Sequence, residues 1–353
     1  MTTVLTSRHS QQKSQSMPTI KDVAKAAGCS TATVSRALAN PEKVSSSTRQ
    51  RVAQAVAEVG YSPNAAARNL RRSESRTIVV ILPDIANPFF SQVISGLESA
   101  AHQAGYQVLL GDAAHDPARV QSYFNLVPSN QADGIILLTT EVPMALIKER
   151  QASSGFPLVM ACEYFDKLSV PTIHIDNEQA ADKAVEYLVS LGHRQIATIT
   201  GPIQNPICQD RLNGYRKGLA KAGLDDKPER VAEGDFTFHS GYEQGQALLR
   251  HTTDRPTAVF CQNDEMAIGV LKAARDLGIA VPERLSVIGF DDIGFSQYCE
   301  PELTTVHQPR DDIGRNAMRL LLDLLKKNQP PADQTLRTHL IVRNSTARVY
   351  HAD

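Results

Sequence analysis

A chain of 353 residues, 42% hydrophobic and 21% charged, is too long for one average domain and is expected to form two or three. Its longest apolar runs, such as TIVVILP and DGIILLT, have strand length and fall far short of a membrane span. The net charge of −1 conceals twelve basic against four acidic side chains in residues 1–76, a head of +8 on a body of −9, which is the pattern of a polyanion-binding module joined to something else.

Residues 1–16, MTTVLTSRHSQQKSQS, are polar and lack the apolar core of a signal peptide. They read as a disordered tail, with Met17 an alternative start. Residues 17–63 read as three short helices. In TIKDVAKAAG the residues Ile20, Val23, Ala24 and Ala27 share a stripe, with Thr19 as cap and Gly28 as stop. Ser30 caps a second helix from Thr31 to about Ala39, whose Val34 and Leu38 face inward. SSSTRQRVAQAVAEVG forms a third, with Val52, Ala55, Val56 and Val59 on its apolar face and Gly60 at its end. Two helices joined by about three residues with a glycine form a helix-turn-helix, and the third completes a small core.

Residues 64–76 contain AAARNLRR, barely two helical turns and too short to be stable alone, followed by the polar linker RRSESR. From residue 77 to 353, short apolar runs alternate with amphipathic segments. TIVVILP, YQVLLGD, DGIILLT, PLVMA, PTIHID, QIATIT, TAVFC and LSVIGF are the expected strands. The repetition predicts a parallel, doubly wound α/β body, and eight or more strands predict two lobes. Ligands in such sheets bind beyond the carboxyl ends of strands.

Five scattered cysteines (29, 162, 208, 261, 299) without a C-x-x-C pair point to reduced thiols in a cytoplasm. No phosphate loop, H-E-x-x-H or nucleophile elbow occurs, so no enzyme, metal site or cofactor is expected.

The segment TIKDVAKAAGCSTATVSRALANPEKVSSSTRQRVAQAVAEVGYSPNAAARNLR resembles the DNA-binding head of the LacI–GalR family. The resemblance continues through PDIANPFFSQVISGLE, GHRQIATITGP, RLNGYRKGL, VIGFDDI and LTTVHQPR, and covers about residues 17–347. It implies a helix-turn-helix head, a hinge helix, and a body of periplasmic-binding-protein type made of two doubly wound parallel sheets. It also implies a recognition helix in the major groove, with Thr31, Ala32, Ser35 and Arg36 facing bases. Arg36 can hold guanine in bidentate fashion, worth about 1–3 kcal/mol of discrimination, whereas the short Ala32 offers only apolar contact. Thr19, Thr33, Lys43, Ser45 and Thr48 match phosphate-contacting positions, and the Ser and Thr residues at 19, 45 and 48 equally suit helix caps. Leu70 matches a minor-groove wedge, with Arg71 beside it.

In the body the resemblance implies a cleft for a small effector, lined by Phe89, Phe90, Asp176, Asn205, Ile207, Arg211, Phe236, Asn263 and Asp291. Arg211 and Asp291 are its polar anchors, one a donor fork and the other an acceptor pair. Phe89 or Phe90 could instead be core, Asp291 a loop cap, and Asp176 the cap of the helix after IHID. Members that take a purine carry arginine and threonine where this chain has Asn205 and Ile207, which argues against a purine base. The implied protein is a homodimeric, cytoplasmic repressor on a double-stranded DNA operator. A nucleoside such as cytidine is its implied effector, and a cyclic-AMP-dependent activator protein is an implied partner. The last residues, IVRNSTARVYHAD, carry no heptad repeat, which favours a dimer over a zipper-built tetramer. A sugar effector, or a solute-binding protein with an incidental head, are the alternatives.

Overall fold

The computed structural model describes residues 18–62, 74–152, 156–165, 168–250, 255–326 and 333–349. The hinge positions Leu70 and Arg71 lie outside them. The chain divides into two units, one ending at residue 73 and the other beginning at residue 74.

In the first unit, α1 (Ile20–Ala27) begins where the Thr19 hydroxyl and amide both donate to the Asp22 carboxylate, at 2.7 and 2.8 Å. It ends at Gly28, whose φ of 60° favours a residue without a side chain. α2 (Thr31–Ala39) starts with the Thr33 amide donating to Ser30 Oγ at 3.1 Å. α3 (Ser46–Val59) is capped by Ser45 and closed by Gly60 at φ 66°. Val23, Ala24, Ala27, Val34, Ala37, Val52 and Ala55 are buried together. Ala37 takes the inner position of α2 beside Val34, and Leu38, expected there, is half-buried at the edge of the same cluster.

The second unit contains two six-stranded sheets. The first holds β1 (Thr77–Leu82), β2 (Gln107–Asp112), β3 (Gly134–Leu137), β4 (Leu158–Ala161), β5 (Thr172–Ile175) and β11 (Gln334–Leu336), in the order β11-β5-β4-β3-β1-β2. The second holds β6 (Ile196–Thr200), β7 (Val231–Glu233), β8 (Ala258–Cys261), β9 (Ser286–Asp291), β10 (Thr304–His307) and β12 (His339–Ile341), in the order β12-β10-β9-β8-β6-β7. The pairings are parallel except β10 with β12. Strands β1, β3, β4, β8 and β9 are almost wholly buried, which is why they read as continuous apolar runs rather than alternations.

Strand order makes the chain pass between the sheets three times: after β5, after β10, and between β11 and β12. The first lobe carries α4 (Phe89–Gln103), α5 (Pro117–Phe124) and α6 (Met144–Ala152). α7 (Asn177–Ser190), α8 (Pro206–Lys221), α9 (Phe238–Leu249) and α10 (Asp264–Asp276) follow the first crossing, and α11 (Arg310–Leu325) returns to α4 and the first sheet. Helices α7 and α8 pack very closely: a Cβ on Gly214 would stand 2.2 Å from the Glu178 carbonyl oxygen. In each sheet the parallel strands share one carboxyl edge, and the loops that follow them lie along it.

Candidate functional site

The first unit presents one polar face. Thr31, Ala32 and Arg36 are exposed along α2, and Ser35 is half-buried beside them. These four line a shallow concavity with Ile20, Lys21, Ala39 and Asn40. Three helix N-termini carry the other head residues. Thr19 is tied to Asp22 at the start of α1, and Thr33 Oγ1 lies 2.9 Å from Ser30 Oγ at the start of α2. At the start of α3, Ser45 Oγ donates to Thr48 Oγ1 at 2.9 Å. Lys43 is exposed just before that cap. Capping does not consume these termini, because free amides and the helix dipole still favour an anion there.

In the second unit the strand-end loops converge on a cleft lined by Pro83, Asn87, Phe89, Phe90, Cys162, Glu163, Ile207, Arg211, Phe236, Asn263, Asp291 and Gln308. Its space, counted with the open solvent at its mouth, is about 500 Å³. Seven of the nine expected residues are brought together there. Asn205 lies on the adjoining rim with Glu163 and Phe236. Asp176 is placed elsewhere: it is exposed, and its Oδ1 accepts from the Gln179 amide at 2.8 Å, so it caps α7. The short carboxylate that suits a helix cap binds its own backbone.

The anchors are held from behind. Arg211, on α8, is 4% exposed. Its Nε donates to Asn177 Oδ1 at 2.8 Å and its Nη1 to the Gln262 carbonyl at 2.5 Å. Its guanidinium lies 3.8 Å from the centroid of Phe290, within cation–π range. Asp291 ends β9 with φ 108°, a left-handed backbone uncommon for a residue with a side chain. Its Oδ1 accepts from Gln308 Nε2 at 2.7 Å. Burial pushes its carboxyl up to about 6, against the pull of Arg211 and Gln308.

The aromatic walls have separate supports. Phe89 and Phe90 open α4 and meet edge to face, with centroids 5.1 Å apart. They belong to the large buried cluster of the second unit and line the cleft at once. Phe236 is half-buried at φ 69° and lies over Gly201, where a Cβ would meet its ring at 2.2 Å. Asn263 Nδ2 donates to the Phe236 carbonyl at 2.8 Å, and its Oδ1 caps α10 by accepting from the Met266 amide at 2.9 Å. Ile207 supplies an apolar side chain just inside α8.

Asn87, Asn177, Glu163 and Gln308 were not singled out from sequence. Glu163 follows β4, an expected strand, so the strand-end rule pointed at it, whereas Gln308 follows β10, which no apolar run announced. A further carboxylate, Glu265 on the adjoining rim, is pushed up to about 8 by burial and by Asp291, Asp84, Asp264 and Asp235. Among the described residues no group of three or more His, Cys, Asp or Glu side chains could hold a metal ion, and no helix is long and apolar enough to cross a membrane.

Residues 19–64 match the family model of the bacterial regulatory proteins of the lacI family, and residues 185–346 match the periplasmic binding protein-like domain. The HTH-type transcriptional repressor CytR of Escherichia coli (strain K12) is 47% identical over 336 residues, spanning 95% of this chain and 98% of that protein. The HTH-type transcriptional repressor PurR of Erwinia tasmaniensis is 36% identical over 334 residues, spanning 94% and 97%. Among solved structures, the Lac repressor dimer bound to operator and the anti-inducer ONPF matches with a TM-score of 0.85 at 30% identity, covering 94% of this chain and 100% of that one.

Proposed function

Since this chain belongs to the lacI family of bacterial regulatory proteins and is a DNA-binding transcriptional repressor, we propose that its effector is a nucleoside of the cytidine type, bound between the two lobes. The observation that carries this reading is the cleft itself: a donor fork (Arg211) and an acceptor (Asp291) among the aromatic rings of Phe89, Phe90 and Phe236. Sugar hydroxyls both donate and accept, and so match the Arg211–Asp291 pair. A planar base gains most from the rings, because flat faces stack on aromatic walls.

Thr31, Ala32, Ser35 and Arg36 face the bases of the operator, and Arg36 is the strongest reader among them. Thr19, Thr33, Lys43, Ser45 and Thr48 fix the register on phosphates. Leu70 and Arg71 reach the minor groove. The repressor acts as a homodimer in the cytoplasm, and the effector shifts the population between two lobe arrangements that hold the heads differently. Weak direct readout through Ala32 supports dependence on a cyclic-AMP-dependent activator bound alongside.

The test is thermal stabilisation of the full chain by a panel of nucleosides, free bases and monosaccharides at millimolar concentration. A ligand at 100 times its dissociation constant stabilises by about 2.7 kcal/mol, which is readily seen as a rise in Tm. The proposal expects a rise with cytidine. A rise with a sugar alone assigns the cleft to a sugar and overturns the nucleoside reading.

A further inference from the structure

We propose that Glu163, acting with Asn205, selects a base that carries an exocyclic amino group next to an unprotonated ring nitrogen, so that the cleft takes cytosine in preference to uracil. This rests on the nucleoside reading above.

Glu163 is a carboxylate that is 8% exposed, and such groups are seldom buried without a role that offsets the desolvation. It stands directly after β4 and Cys162, whose φ of 70° turns the chain at the strand end. It lines both the cleft and its rim, and it comes from the first lobe, whereas Arg211 and Asp291 come from the second. A ligand held by that pair therefore meets Glu163 from the opposite lobe.

The orientation of the carboxylate is over-determined. Oε1 accepts from Asn205 Nδ2 at 2.8 Å and Oε2 accepts from the Thr140 amide at 2.5 Å. Both partners are N–H donors, so the group is presented as an acceptor, and an ionised carboxylate has lone pairs left on each oxygen. Asn205 cannot flip without loss, because its Oδ1 already accepts from the Ile207 amide at 3.1 Å. Its Nδ2 is thus fixed toward Glu163, with a second hydrogen to give. The two side chains place an acceptor beside a donor where the rim joins the aromatic-walled cleft.

Cytosine has the matching edge: its 4-amino group donates and its N3 accepts. Uracil has the inverse, a carbonyl facing a carboxylate and an N3–H facing an amide hydrogen. A site built to bond a particular donor rejects the analogue without it far more strongly than an apolar pocket rejects a change of shape.

Isothermal titration of the full chain with cytidine, uridine and N4,N4-dimethylcytidine tests this, in the wild type and in Glu163→Gln. The wild type is expected to bind cytidine at least tenfold tighter than uridine, and at least tenfold tighter than the dimethyl derivative, which keeps the ring and sugar but has no amino hydrogen. In Glu163→Gln only one of the two oxygens remains for the Thr140 amide and Asn205 Nδ2, so an NH₂ replaces an acceptor and the acceptor–donor pair is broken. The cytidine-to-uridine preference is then expected to fall by tenfold or more. An unchanged preference in the variant overturns the assignment, as does equal binding of cytidine and uridine by the wild type, and in both cases the nucleoside reading survives. Binding of none of the three overturns both. Should the variant fail to fold, the dimethylcytidine comparison decides: equal affinity for it and cytidine overturns the role of the amino group.

Discussion

Replacing Arg211 with methionine keeps an unbranched stem and removes only the guanidinium. Two charge-assisted hydrogen bonds go with it, to Asn177 Oδ1 and to the Gln262 carbonyl, and so does the contact over the Phe290 ring. Both acceptors belong to buried residues, 2% and 0% exposed, so each is left without this donor in a place water reaches poorly. Orphaned acceptors of this kind cost about 1–3 kcal/mol each, and removing one partner of a buried charge pair costs about 3–5 kcal/mol. These figures overlap rather than add, and the methionine recovers part as apolar burial. A net loss of about 3–5 kcal/mol is therefore expected near pH 8.

The loss depends on pH through Asp291. Its carboxyl already titrates at about 6 with Arg211 present, and without the cation it is pushed higher. The folded variant then binds a proton more readily than the folded wild type, so its stability falls faster as pH rises. The deficit is largest above pH 8 and shrinks toward pH 5, where Asp291 is neutral in both proteins. The chain has no tryptophan, so urea unfolding of the full chain followed by circular dichroism at 222 nm is the assay. A deficit below about 1 kcal/mol near pH 8, or one independent of pH, would refute the reasoning that Arg211 offsets the buried charge of Asp291.

Three further outcomes are expected. Arg36→Ala should weaken operator binding by about 1–3 kcal/mol and relax sequence preference at one base pair of each half-site, as read by selection from a randomised duplex pool. Ser30→Ala removes the acceptor of the Thr33 amide and should cost the head about 1 kcal/mol, measured from its own melting transition. Glu265, pushed up to about 8, gives stability that is complete below its unfolded value near 4.5 and lost as pH rises through 8. The Tm of the body should thus decline between pH 6.5 and 9 in the wild type and decline less in Glu265→Gln.

Much of this architecture is local in origin and could be read residue by residue. Thr19, Ser30 and Ser45 each start a head helix, and Gly28 and Gly60 end two of them with positive φ. All eight strands expected from apolar runs are present. The four that were not expected show what such a reading misses. β7, β11 and β12 are three-residue edge strands, too short for any period. In β10 the buried residues are Thr304, Thr305 and Val306, whose hydroxyls make the segment look exposed. The same blindness applies to the cleft. Arg211 and Asp291 stand out through the family motif. Glu163, Asn177 and Gln308 depend on burial and on partners in other loops, as when Asn177 meets Arg211 34 residues on, Glu163 meets Asn205 42 residues on or Gln308 meets Asp291 17 residues back. Asp176 fails in the other direction, since its type suits a cleft acceptor while its position at an N-terminus makes it a cap.

The most direct test of the account is the affinity of the full chain for its selected operator, measured by fluorescence anisotropy at fixed salt with and without saturating cytidine. Fixed salt matters because phosphate contacts make affinity fall steeply with ionic strength. The account predicts a change in operator affinity of at least tenfold on adding cytidine, and no change for a Glu163→Gln or Arg211→Met variant that has lost cytidine binding. Cytidine that binds the wild type yet leaves its operator affinity unaltered contradicts the coupling between cleft and head.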